Sequence, residues 1–157
     1  MTEVDVLINN MGSFLPGSVL DEEDGVYEQM MASNMSSAYY LTRVIGTKMR
    51  DSNRGHIFNI CSTASIMAYT NGGSYCIAKH ALLGFSRVLR EELKEYRVKV
   101  TSVVPGATFT ASWSSSGIDE ERFMKPEDLA KSIFDSFQLS ERSVVEEIII
   151  RPQLGDI

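Results

Sequence analysis

His56-Ile57-Phe58-Asn59-Ile60-Cys61-Ser62 is a short, mostly apolar run that stops at a serine, and Tyr75-Cys76-Ile77-Ala78-Lys79 begins thirteen positions after that serine. The run predicts a strand over His56–Cys61. Beyond it, Leu82, Phe85, Leu89 and Leu93 recur at helical spacing and predict a helix over Gly73–Tyr96 with one apolar stripe. The same alternation extends in both directions. Strands are expected at Val4–Asn10, Lys99–Val104 and Glu147–Arg151, and helices at Glu22–Arg50 and Pro126–Gln138. Val6-Leu7-Ile8, Ser102-Val103-Val104 and Ile148-Ile149-Ile150 suit strands covered on both faces. Lys125-Pro126-Glu127-Asp128 puts proline at a helix start with carboxylates in the first turn, as the macrodipole favours. The fold expected is α/β: a parallel sheet with right-handed crossovers and helices on both faces.

Tyr75 and Lys79 stand four apart on a helix and so share one face. An ammonium ~4 Å from a phenol at an effective dielectric of ~20 is worth ~4 kcal/mol. That is enough to draw a tyrosine pKa of ~10 down towards ~7 before desolvation opposes it. The pair suits a reaction in which a carbonyl oxygen gains a proton while its carbon gains a hydride. Ligands of open α/β sheets bind beyond the carboxyl ends of the strands. Asn10-Met11-Gly12 follows the first strand, Ser62 the second and Pro105-Gly106 the third.

Four segments then occur in a telling order. Asn9-Asn10-Met11-Gly12 resembles the Asn-Asn-Ala-Gly that ends the fourth strand of the short-chain dehydrogenase/reductase family. Asn34 matches the asparagine of the long helix that follows. Asn59-Ile60-Cys61-Ser62 resembles the Asn-Ile-Ser-Ser segment that carries the family's serine. Pro105-Gly106-Ala107-Thr108-Phe109-Thr110 resembles the Pro-Gly segment ending in Thr after the sixth strand. From about Val4 onward, the chain resembles the C-terminal part of the family's Rossmann-like sheet, strands four to seven.

The resemblance implies an NAD(P)-dependent oxidoreductase acting on a small carbonyl or alcohol. It implies Asn34, Ser62, Tyr75 and Lys79 as catalytic residues. Tyr75 would donate or accept the proton, Ser62 bind the carbonyl oxygen, Lys79 lower the tyrosine pKa, and Asn34 carry a water-linked proton relay. Asn10, Met11, Gly12, Tyr75, Lys79, Pro105, Gly106 and Thr110 would border the cofactor, with Lys79 on the nicotinamide ribose. Met11 departs from the family's alanine, and a long side chain there is expected to crowd the ribose pocket. Within the family the chain resembles 3-oxoacyl-carrier-protein reductases and sepiapterin-type carbonyl reductases. Small-molecule carbonyl or acyl-carrier substrates are therefore implied, with NADP ahead of NAD. A homodimer or homotetramer through the two long helices is implied as well.

The sequence contains no Gly-x-x-x-Gly-x-Gly, and Gly72-Gly73 belongs to the approach to Tyr75. In family terms the chain begins almost directly at the fourth strand. The chain by itself is expected to bind cofactor poorly, and its first strand to lie at a sheet edge. The alternative reading is a non-catalytic fragment or interaction module.

At 43% hydrophobic and 23% charged residues, the chain has a composition that can fold as one domain, 1–157. Its net charge of −6 gives no electrostatic footprint for nucleic acid. No apolar run reaches the ~20 residues of a membrane helix, and no signal peptide is legible, so a cytoplasmic location is expected. Cys61 and Cys76 have no metal spacing and read as small buried residues in a reducing compartment, so no metal is expected. His56 and His80 read as structural. Ala111–Gly117 reads as a mobile loop.

Overall fold

The computed structural model describes residues 3–113 and 116–157; Ser114 and Ser115, at the centre of the Ala111–Gly117 loop, lie outside the described residues. Four strands form one sheet: β1 (Val6–Asn9), β2 (Gly55–Ile60), β3 (Val98–Pro105) and β4 (Glu147–Ile150). They lie side by side in chain order, and every pair is parallel. The connections carry α1 (Val26–Met31), α2 (Ser37–Ser52), α3 (Gly73–Leu93) and α4 (Pro126–Phe137).

Alternation along the strands decides which helix each residue meets. Leu7, Ile57, Val98 and Val100 pack with Met49 and Leu93, which places α2 and α3 on one face. His56 points to the opposite face, where its ring approaches Phe137 of α4 at 6.4 Å. Ile57 and Phe58 are wholly buried on opposite faces. Each such side chain contributes ~1.5–3 kcal/mol through burial.

The helix expected from Glu22 starts only at Val26. Gly25 adopts φ 94, a left-handed backbone outside any helix, so 22–25 forms the entering turn. Between α1 and α2 the helix widens into a π segment, Ala32–Ser36, centred on Asn34. Such wide turns accompany functional positions in helices. The other elements fall within a few residues of expectation.

A chain of buried polar groups crosses beneath the sheet. Asn9 Nδ2 donates to Asn59 Oδ1 at 2.7 Å, and Asn59 Nδ2 donates to Ser86 Oγ at 3.0 Å. Ser102 Oγ meets Ser86 Oγ at 2.8 Å. This chain ties β1, β2, α3 and β3 in one register at the ends that carry the candidate site. Buried polar groups hold position this way because leaving one unpaired costs ~1–3 kcal/mol. Among the described strands β1 pairs only with β2, so its outer edge is free.

Candidate active site

An open cavity of about 1380 Å³ begins at the loops that leave the carboxyl ends of β1, β2 and β3 and runs along the sheet face between Val6, Ile8 and Phe58 and the α4 side chains Leu129, Ile133 and Phe134. Asn10, Gly12, Asn34, Ser62, Tyr75, Lys79, Pro105, Gly106 and Thr110 all line it. The parallel topology therefore gathers residues spread over a hundred positions of sequence. Met11 is the exception. It is 68% exposed and stands outside the cavity lining.

Ser62 has an extended backbone, φ −166, and caps the short turn Thr63–Ser65. Its Oγ accepts from the Ala64 N–H at 3.1 Å, and its own N–H donates to Ser65 Oγ at 3.1 Å. The turn thus fixes the Ser62 hydroxyl at the wall of the cavity that Tyr75 also lines. Lys79, one turn along α3, is buried and donates from Nζ to the Ile60 carbonyl at 2.9 Å. That ammonium stands 5.8 Å from the centre of the Tyr75 ring.

The π segment turns Asn34 inward. Asn34 Nδ2 donates to the Ser13 carbonyl at 2.9 Å and to the Met30 carbonyl at 3.1 Å. Its Oδ1 is buried and finds no partner among the described residues. Gly12 explains why Asn34 and Lys79 can share this region. A Cβ on Gly12 would lie 2.7 Å from Asn34 Oδ1 and 3.5 Å from Lys79 Nζ. Gly12→Ala is therefore expected to force a shift in the Asn34 side chain, which two carbonyls hold. Overpacking of this kind costs ~1–3 kcal/mol. Urea denaturation should show a lower midpoint at unchanged slope. A midpoint equal to the parent's would contradict this account of Gly12.

Electrostatics correct one expectation. Tyr75 is not drawn down towards neutrality. Burial pushes the phenol up from its ordinary value, with the Ser62 hydrogen bond acting in the opposite direction. Burial lowers Lys79 as well, to about 8, and its Nζ donates to the Ile60 carbonyl. Of the two groups, Lys79 changes charge nearer neutral pH. Burial also pushes the Cys61 thiol up to about 11, which leaves it an unreactive packing residue.

Gly106 also packs closely against the chain itself. Its missing Cβ admits Pro152 Cδ, which would stand 2.9 Å from such an atom. The glycine permits a close approach of the chain's own C-terminal segment. Sequence reasoning missed Phe14, Met67, Tyr69 and Trp113, which also line the cavity. Phe14 meets the Tyr75 ring edge-on at 4.9 Å. These side chains sit in loops without periodicity or motif, so no local signal marks them.

This arrangement places a serine, a tyrosine, a buried lysine and a glycine-lined wall at the end of a parallel sheet, in one cavity. The family model described as short chain dehydrogenase matches residues 1–121, and the chain belongs to that family. It is 33% identical over 157 residues to a sepiapterin reductase of Chlorobaculum tepidum, covering 98% of this chain and 64% of that protein. It resembles serine dehydrogenase from Escherichia coli at TM-score 0.80 and 27% identity, over 94% of this chain and 62% of that one. A metagenomic short-chain oxidoreductase in complex with NADP superposes at TM-score 0.79 and 28% identity, over 98% of this chain and 63% of that one. The chain thus spans somewhat less than two thirds of these relatives.

The residues present fit the nicotinamide end of the family's cofactor. Lys79 is a buried ammonium with three N–H donors, and one of them meets the Ile60 carbonyl. Asn34 Oδ1 is a buried acceptor with no partner. A polar ligand group that reached both would satisfy both.

Proposed function

We propose that the protein is an NAD(P)-dependent oxidoreductase of small carbonyl or alcohol substrates in which Tyr75 exchanges the proton. The single observation that carries this reading is the convergence of Ser62, Tyr75, Lys79 and Asn34 on one cavity. A nicotinamide held there would supply or accept the hydride. The chain's own groups do the rest. Ser62, fixed by its turn, donates to the substrate carbonyl oxygen and steadies the charge that grows there. Tyr75 gives its proton to the same oxygen in reduction and takes it back in oxidation. Its raised pKa keeps the proton on the phenol at neutral pH, the form a donor needs. Lys79 holds positive charge beside the ring and offers its remaining N–H donors to ribose hydroxyls. Asn34 binds a water that links Lys79 to solvent. Asn10, Met11, Gly12, Pro105, Gly106 and Thr110 border the cofactor. Phe14, Met67, Tyr69 and Trp113 form an apolar wall suited to an uncharged substrate.

NADP is preferred over NAD in this reading. Homo-oligomers form through the outer faces of α2 and α3, where Tyr40, Leu41, Val44 and Val88 are exposed apolar side chains. The 157-residue chain alone is inactive, because its sequence holds no glycine-rich phosphate loop to grip the pyrophosphate. Two titrations test this. NADPH added to the 157-residue chain should show no saturation in the micromolar range. A form bearing a glycine-rich nucleotide-binding segment ahead of Val4 should saturate and oxidise NADPH when given a small ketone. Tight stoichiometric binding by the 157-residue chain would refute its inactivity. A cofactor-saturated longer form inert towards ketones, aldehydes and alcohols would refute the oxidoreductase reading.

A further inference from the structure

We infer that Glu22 is a positioning residue for Tyr75: its carboxylate clamps the first turn of α3 and so sets where the Tyr75 hydroxyl stands in the cavity. The inference deepens the oxidoreductase reading and rests on it for the role of Tyr75.

The first N–H groups of a helix need acceptors from outside the helix. α3 has Gly72 at its N-cap, which offers no side chain. Glu22 supplies the acceptor from 52 residues upstream. Its Oε1 accepts from the Ser74 N–H at 2.8 Å, and its Oε2 accepts from the Ser74 hydroxyl. Both bonds are charge-assisted, and a carboxylate at a helix N-terminus also meets the favourable end of the dipole. Ser74 is buried and is the residue immediately before Tyr75.

Two glycines make room for this clamp. Gly73 has φ 32, and a Cβ there would run into the Glu22 carboxylate and come within 2.5 Å of the Gly17 carbonyl. A Cβ on Gly17 would stand 2.8 Å from Glu22 Cγ. Gly17 N–H donates to the Asn71 carbonyl at 3.0 Å, which lays the segment 14–22 along 71–75. Phe14, at the start of that segment, touches the Tyr75 ring. An ordinary cap needs only a serine or aspartate at position 72. A distant carboxylate that takes both polar groups of Ser74 does more. It locks the loop carrying Phe14 to the turn carrying Tyr75.

Tyrosine labelled with carbon-13 at Cζ reports this directly, with the Tyr75 resonance assigned through Tyr75→Phe. In Glu22→Ala the Tyr75 resonance should shift or broaden, and the Ser74 amide should exchange about ten-fold faster. Glu22→Gln keeps an acceptor for the N–H and a partner for the hydroxyl, so it should restore both signals. Ser74→Ala removes only the hydroxyl contact. It should move the Tyr75 resonance the same way by less, and it serves if Glu22→Ala does not fold. A Tyr75 resonance unmoved in the folded variants, with only the melting temperature lowered, overturns the inference. These readouts need no turnover. Their failure is therefore separate from a failure to find NADPH oxidation.

Discussion

Tyr75→Phe should lower turnover by at least ~10² in a form of the protein that binds nicotinamide cofactor tightly, with little change in KM. The substitution keeps the ring, its edge contact with Phe14 and most of its burial. It removes the hydroxyl, and with it the proton to be transferred. A loss confined to turnover marks an interaction made in the transition state. A loss confined to KM would instead assign Tyr75 to substrate binding. Turnover within a factor of about three of the parent would remove Tyr75 from the proton-transfer role.

The second large effect is an acid-labile fold, governed by His56. Thr101 Oγ1 gives its proton to the Val145 carbonyl at 2.6 Å, so it accepts from His56 Nε2–H at 2.7 Å. Nδ1 therefore carries a lone pair, buried and without a partner. The ring stacks on Phe58 at 3.9 Å. Burial, aided by the charge of Lys99, lowers the His56 pKa from 6.5 to about 4. Above pH 6.5 the ring is neutral in folded and unfolded chains and adds no pH dependence. Between pH 6.5 and 4 the unfolded chain takes up a proton that the folded one refuses. Stability then falls by ~1.4 kcal/mol per pH unit, approaching ~3 kcal/mol by pH 4. Denaturant unfolding at pH 7 and pH 4.5 should show this loss. His56→Leu should remove most of the difference between the two, since Thr101 retains the Val145 carbonyl as its acceptor. An equal loss in parent and variant would assign the acid sensitivity to carboxylates instead.

The strands, the crossover helices and the family were legible in the sequence because they depend on local patterns. Apolar runs of strand length separated by helix-length stripes admit few folds other than a parallel sheet. The Asn-rich strand ends, the serine, the tyrosine–lysine pair and the Pro-Gly segment keep their order whatever the loops between them do. The wide turn at Asn34 was not legible, because the mediocre helix propensity of asparagine fits a regular helix as well as an irregular one.

What tertiary structure alone decided lies in distances between residues far apart in sequence. The start of α1 at Val26 frees Glu22 to reach Ser74, and no pattern within either segment announces that bond. The direction of the Tyr75 pKa was misjudged from spacing. The i, i+4 rule puts Lys79 on the same face but says nothing of the Ile60 carbonyl that takes its proton donor, or of the burial that opposes ionisation. The Met11 side chain leaves the cavity, and Gly106 makes room for Pro152. Sequence fixes which chemical groups are available and in what order. Packing sets their solvation and their neighbours, and those two quantities decide what each group can do.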